Sequence, residues 1–360
     1  MRRTAALIVG GGPAGSAAAI RLAAAGARPL LVERHPDADA LCGGFVSWRT
    51  LDRIAGLGVD PDALNRDRLT QVTIFARGRV REAALPRPAL GVSRRRLDTL
   101  LREAARRSGA AIETGVTVRH VEGLTAHLAD GAAIATEALF LATGKHDLRG
   151  LARPAAARGP DPTLGIRVRL SPAPALRRLL AGRIELHLFE SGYAGIALQE
   201  DGSANLCMAV HRSRLHAAGT PAELLAALGR ELPRFGERIA HLAVDAPVDA
   251  IANVPYGWRQ RSGSPGLFRL GDQAGVIPSL AGEGMGIALA SGIDAAEAWR
   301  VGGPAAATAW QARFARRLAR PMAVAGAVRA IAESRWSAPV VAIMPARLIQ
   351  VMAHATRMTP

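Results

Sequence analysis

Three features of the 360-residue sequence predict an α/β fold built on a Rossmann-like βαβ unit. Residues 4–9 form a short apolar run that suits a buried parallel strand. Gly10, Gly12 and Gly15 follow as G-x-G-x-x-G, and residues 13–26 then carry Ala, Ile and Leu at helical spacing, ending at Gly26. Residues 28–33 read as a second strand closed by an acid, Glu33. In these surroundings the glycines have distinct uses. The first permits a tight turn, the second lets a pyrophosphate approach the backbone, and the third allows the helix to pack closely on the strand. The helix N-terminus faces the phosphates, and Glu33, about 20 residues on, is placed to bind ribose hydroxyls. Pro13, Ala14 and Arg34 are grouped with them as cofactor-binding positions.

The length exceeds one average domain, which predicts a cofactor domain and a second lobe. Residues 41–58 read as a Gly-rich loop and a short helix, and residues 71–85 as two strands around Gly78 that leave the cofactor domain. Ser93 caps a helix whose one face carries Leu97, Leu100, Leu101 and Ala104. Residues 111–143 return to strands and finish in an apolar run before Thr143 and Gly144. A Pro-, Ala- and Arg-rich crossover over 150–162 leads to strands over 163–210 and a helix over 221–232. Residues 266–300 give strand, loop and helix again. The cofactor domain is therefore expected to be discontinuous, as 1–70, 92–162 and 262–300. A β-sheet substrate domain is inserted as 71–91 and 163–261, and a helical segment covers 301–360.

Composition narrows the function. Hydrophobic residues make up 49%, enough for a sizeable core, while aromatics are 4% and Lys145 is the only lysine. A formal charge of +16 could suit nucleic acid. The arginines are spread along the chain, however, no binding motif is present, and aromatics for base stacking are few, so no nucleic-acid partner is expected. Cys42 and Cys207 give neither a disulfide framework nor metal spacing, which fits a reducing cytoplasm. The N-terminus imitates a signal peptide, but its glycine spacing has a better account as the dinucleotide turn. No apolar run reaches the roughly 18 residues of a spanning helix. The last sixty residues hold eight arginines against one glutamate. They are expected to form a helical tail packed on the sheet with an arginine face in water. The alternative is peripheral contact with anionic lipid that admits a lipophilic substrate.

A second glycine-rich segment, RLGDQAGVIPSLAGEGMGIALASG, spans residues 269–292. A strand ends at Gly271-Asp272, and Asp272 is placed to hold a flavin's ribityl hydroxyls. After Gly282, a helix begins near Gly284. Backbone amides around Gly284, Met285 and Gly286 would face the flavin's pyrimidine edge, where negative charge gathers on reduction.

VGGGPAG, LFLATG, RLGDQAG and GEGMGIALASG together resemble the flavoprotein superfamily of p-hydroxybenzoate hydroxylase and geranylgeranyl reductase, over about residues 1–300. The resemblance implies FAD as cofactor, two lobes, and a substrate held against the flavin beneath a β-sheet. SRRRLDTLL matches that family's Arg-x-x-Leu-Asp helix start, which implies that Arg94 contacts FAD. LCGGFVS resembles the loop of the reductase branch where a Cys-Gly pair lies near the flavin. It implies that Gly43 and Gly44 bind the cofactor and makes Cys42 the candidate catalytic residue. The segment SGYAGIALQEDGSANLCMAV resembles the same branch's substrate strands, so Tyr193, Phe45, Tyr256 and Trp258 are candidate pocket residues. The hydroxylases' Asp-Gly motif is replaced by GKHDLRG at 144–150, so NAD(P)H is expected as reductant without an assigned docking motif. Lys145, His146 and Asp147 are read as a solvated loop. The halogenases' Trp-x-Trp-x-Ile-Pro motif is absent, and the histidines show no metal-ligand spacing.

Two enzyme classes remain open, with a non-enzymatic electron-transfer module as the third. The favoured expectation is a monooxygenase acting on a small aromatic or polyketide-like lipophilic substrate, because the cofactor itself carries the oxidising chemistry. The alternative is a reductase of prenyl C=C bonds. Cys42 and the tyrosine-bearing strand favour the latter.

Overall fold

The computed structural model describes residues 1–243 and 245–358. The chain opens with β1 (Arg2–Val9), α1 (Pro13–Ala24) and β2 (Leu30–Glu33). β3 (Phe45–Val46), α2 (Trp48–Ala55) and α3 (Pro61–Leu64) lead to the hairpin of β4 (Leu69–Ala76) and β5 (Arg79–Gly91). α4 (Arg94–Arg107) precedes β6 (Ala111–Thr114), β7 (Val118–Glu122), β8 (Thr125–Leu128) and β9 (Ala133–Leu141). Then come β10 (Thr163–Leu170), α5 (Pro174–Leu180), β11 (Arg183–Phe189), β12 (Gly192–Leu198) and β13 (Ala204–His211). Helices α6 (Arg212–Ala218), α7 (Pro221–Glu231) and α8 (Pro233–Ile239) separate these from β14 (Asp249–Val254) and β15 (Leu267–Arg269). The chain closes with α9 (Gly284–Gly302), α10 (Ala306–Arg317), α11 (Ala319–Ala332), α12 (Ser337–Ile343) and α13 (Ala346–Ala355).

Local chemistry accounts for several boundaries. Ser93 accepts a hydrogen bond from the Arg96 amide and starts α4. Thr220 and Glu223 form a reciprocal capping box on α7, which ends at Glu231, one residue short of the expected 232.

The elements form two sheets. In the first, β1 pairs in parallel with β2 and β9, and the order is β6-β2-β1-β9-β8-β7 with β15 added beside β9. β1 is a central strand with a fully buried inner half, as its apolar run requires. Helices α1, α4, α9 and α10 share one buried core on this sheet, with Phe140, Phe268, Trp310 and Phe314 at its centre. The second sheet runs β14-β10-β13-β12-β11-β4-β5-β3. One of its faces packs on α5, α7 and α8. The other carries Val72, Ile74, Leu188 and Tyr193 towards residues of α11, α12 and α13.

Two expectations need adjustment. The hairpin around Gly78 is longer than 71–85, because β5 runs to Gly91. Its pairing with β4 shifts between Leu69 and Gln71, so the stretch holding Pro86 and Pro88 bulges out of the ladder. Prolines lack the donor a ladder needs, which hid the strand's second half. Phe45 and Val46, expected with the cofactor sheet, pair instead with Gly91 and Leu90 in the second sheet. A two-residue strand leaves no pattern to read.

A buried ionic cluster stiffens the second sheet. Glu185 on β11 accepts two hydrogen bonds from Arg238 on α8, at 2.9 and 2.7 Å, and sits 3.1 Å from His187 Nε2. The His187 ring stacks on Phe75 at 4.7 Å.

Candidate active site

A cavity of about 820 Å³ lies between the two sheets, lined by residues of both and of the C-terminal helices. Its first wall is the turn from β1 into α1. Gly10 has φ +106°, and a Cβ there would sit 2.4 Å from the Ala142 carbonyl oxygen. A Cβ on Gly15 would lie 1.9 Å from the Gly10 oxygen, so both positions exclude any side chain. Gly15 does not line the cavity. It sets the helix against the strand, while Gly10, Gly12, Pro13 and Ala14 face the space.

Charges are arranged around this turn. Glu33 accepts hydrogen bonds from the Gly11 amide at 2.6 Å and the His35 amide at 2.8 Å, which fixes its carboxylate at the cavity wall. Arg94 is held by a bidentate pair to Asp98, at 3.0 and 2.8 Å, and places its guanidinium beside Gly12. Burial works against that charge, but Asp98 outweighs it and raises Arg94 above the ordinary arginine range. Arg102, which the sequence did not single out, is buried and reaches the Pro36 oxygen at 2.5 Å.

The loop after β9 meets the loop after β15. Lys145 Nζ lies 3.3 Å from Asp272 Oδ2, and this carboxylate raises the ammonium above its usual range. Gln273 donates to the Gly144 and His146 carbonyls at 2.9 and 3.0 Å. Thr143, Gly144, Lys145, His146, Asp147, Gly271 and Asp272 all line the cavity. Residues 145–147 therefore line the site wall, while His146 and Asp147 remain exposed, as expected of a solvated loop. Burial, with Arg34 and Lys145 nearby, pushes His146 below its usual range, so its imidazole stays neutral.

The far wall is built by α9 and the residues before it. Gly282, Gly284 and Met285 line the cavity. Gly286 is buried against Glu283 and Thr50 and points away, because the helix turns it towards α2. Ser279 ties two phenols together, since Tyr193 and Tyr256 both hydrogen-bond its hydroxyl, the latter at 2.6 Å. Burial pushes both phenols up, so they remain protonated. Phe45 lies under Gly282 and lines the cavity as Tyr193 and Tyr256 do. Trp258 does not line it, because its ring faces Arg153 outside. Cys42, Gly43 and Gly44 form the floor, with the Cys42 carbonyl held by Asn205 at 2.9 Å. Cys207 lies nearby, its thiol pushed up to about 12 by burial.

These residues fit a bound FAD. The N-termini of α1 and α9 carry no side-chain cap, so their amides are free to donate to anionic groups. A cation stands beside the glycine turn, an acid ends β2, and apolar walls lie between. One histidine pattern emerges only in three dimensions. Cross-strand pairing brings His120 and His127 together with Glu122, their ligand atoms within 4.8 Å of one another. The linear spacing conceals that contact.

Comparison with known proteins agrees with the geometry. Residues 3–150 match the family described as FAD binding domain. Residues 3–150 thus carry an FAD-binding domain, and the chain resembles the FAD-dependent oxidoreductases of the p-hydroxybenzoate hydroxylase and geranylgeranyl reductase superfamily. This flavoprotein is 31% identical over 123 residues to the chloroplastic geranylgeranyl diphosphate reductase of Arabidopsis thaliana, covering 33% of this chain and 26% of that protein. The Nicotiana tabacum reductase is 32% identical over 117 residues, covering 31% and 24%. The flavoprotein therefore spans about a quarter of the length of the curated relatives it matches. Its fold is that of the flavin-dependent brominase Bmp2, with TM-score 0.76, 15% identity and coverage of 99% and 94%. It is also that of P. aeruginosa PqsL, with TM-score 0.72, 15% identity and coverage of 94% and 99%. A geranylgeranyl bacteriochlorophyll reductase-like protein from Thermoplasma acidophilum gives TM-score 0.67, 17% identity and coverage of 100% and 94%. Among the described residues no single helix is long and apolar enough to cross a membrane.

Proposed function

We propose that this flavoprotein is a monooxygenase that hydroxylates a lipophilic aromatic or polyketide-like substrate, with NAD(P)H as the source of electrons. The observation that carries the proposal is the Tyr193–Ser279–Tyr256 hydroxyl cluster beside an apolar wall of the cavity. Bound FAD supplies the oxidising chemistry from molecular oxygen. The protein binds, orients and keeps water out. Two protonated phenols and a serine hydroxyl can accept and donate to a substrate's ring hydroxyl, which fixes the ring's orientation. Val72, Ile74, Leu186 and Leu188 line the surrounding wall and exclude the water that would divert reducing equivalents into peroxide.

Cys42 favours a second reading, a reductase of prenyl C=C bonds. Its position on the cavity floor would let the thiol hold the proton delivered to a prenyl carbon, and the curated relatives are named as geranylgeranyl diphosphate reductases. A bare electron-transfer module would need no such apolar chamber.

The test is rapid mixing of anaerobically reduced protein with oxygenated buffer and phenolic candidates, followed by product analysis with labelled oxygen. Substrate-dependent incorporation of the label supports the monooxygenase. Direct reoxidation with peroxide release, together with saturation of a prenyl acceptor under anaerobic conditions, overturns it for the reductase.

A further inference from the structure

Helices α12 and α13 meet at 113° across Met344 and Pro345. Their inner side lines the cavity through Val341, Met344, Ile349 and Met352. Arg81 on β5 donates to the Val341 and Ala342 carbonyls, at 3.4 and 2.5 Å, and so holds the end of α12 in place. The outer side is also apolar. Ile343 is 81% exposed, Val351 60%, Leu348 45%, and Trp336, just before α12, 60%.

A helix resting on a protein in water keeps a polar outer face, but α13 exposes Leu348 and Val351 between Arg347 and His354. Single exposed apolar residues are ordinary, but four large ones fall within residues 336–351, on or just before two adjoining helices. Their rim is basic: Arg335 and Arg347 are exposed, and residues 334–358 contain no Asp or Glu. A second copy of the chain seated on the patch would set arginine against arginine. A layer of anionic lipid meets both features, taking apolar side chains into its acyl boundary and arginines at its headgroups. At ten residues α13 extends about 15 Å, half of a bilayer core, so it lies along the surface.

We propose that the α12–α13 hairpin docks on an anionic lipid bilayer, and that a lipophilic substrate enters the cavity from the lipid past the hairpin's inner face. The docking is independent of which redox reaction follows, and its readout needs no turnover.

The experiment is co-sedimentation of the FAD-bound protein with vesicles of phosphatidylcholine alone and of phosphatidylcholine mixed with phosphatidylglycerol, at physiological salt. The protein is expected to pellet with the mixed vesicles. The double substitution Ile343→Glu, Val351→Glu is expected to weaken that partition at least about tenfold, with thermal midpoint and flavin content unchanged. Tryptophan emission should shift to the blue when vesicles bind, and the shift should be lost in Trp336→Phe. Three results overturn the proposal: wild-type protein left in the supernatant, a double variant that pellets equally, or sedimentation showing that the patch instead mediates a dimer the double variant abolishes.

Discussion

Arg357 Nε lies 3.3 Å from Glu283 Oε2, and both side chains are buried. Glu283 is the residue that precedes α9, so this pair fastens the segment after α13 to the helix that faces the flavin site. Arg53 at 3.8 Å, the Ser47 hydroxyl and the Met358 amide complete the carboxylate's surroundings. Burial raises Glu283 above the usual carboxyl range, against the pull of Arg357 and Arg53. Glu283→Ala strips two buried guanidinium groups of their counter-ion. The expected loss is about 3–5 kcal/mol in urea unfolding of the FAD-saturated protein. A loss below about 1 kcal/mol, the range of a surface pair, would show the cluster to be solvated.

Asp272 faces the cavity with Lys145 as its partner. If it accepts the ribityl hydroxyls, Asp272→Ala removes a charge-assisted hydrogen bond of about 1.5–3 kcal/mol, a tenfold or greater weakening of FAD binding. The ratio of flavin to protein absorbance in purified material reads this directly. Full yellow occupancy in the variant would place the ribityl chain elsewhere.

The glycine turn, the second glycine segment and the α4 start were legible because each uses a side chain or its absence at a fixed offset. Gly10, Glu33, Arg94 and Asp272 converge on the cavity for that reason. What stayed hidden depends on long-range placement. Lys145 reads as loop until β15 brings Asp272 beside it, and Ser279 has no motif that announces two phenols. Trp258 and Gly286 do not line the cavity, since spacing alone does not tell which side of a loop or helix faces inward. Glu283 lay within a quoted motif, yet its arginine partners come from residues 53 and 357.

The second sheet should weaken on mild acidification. Burial pushes His187 below its usual 6.5, with Glu185 opposing, so the folded protein holds it neutral. As pH falls below 6.5 the unfolded chain takes up that proton and the folded chain does not, so stability declines until the lowered folded value is reached. Glu185, pushed up by burial but held below 4.5 by His187 and Arg238, contributes stability that is lost only further down. Thermal midpoints between pH 7 and 5 should therefore fall more steeply, by about one proton, for wild type than for His187→Phe. Parallel curves would mean that His187 takes up its proton over the same pH range in the folded and the unfolded chain.

Cys42→Ser separates the two reaction classes. A monooxygenase leaves Cys42 as a wall residue, so product formation should stay within about threefold, less than 1 kcal/mol of barrier. Loss of a proton-delivering thiol would instead cost about a hundredfold or more. Turnover on a phenol and on a prenyl acceptor, measured in both proteins, distinguishes these outcomes.

Lys145 is the sole lysine of the sequence, and it stands in the cavity wall. Amine-directed reagents therefore find one ε-amino group in the entire molecule, alongside the α-amino group of Met1. Because Asp272 keeps that ammonium protonated, the α-amino group reacts first under mild conditions, and acylation of Lys145 calls for a higher pH, where its rate gauges access to the site. The same fact warns against coupling the protein to a solid support through amines, since the one side-chain handle is also part of the site.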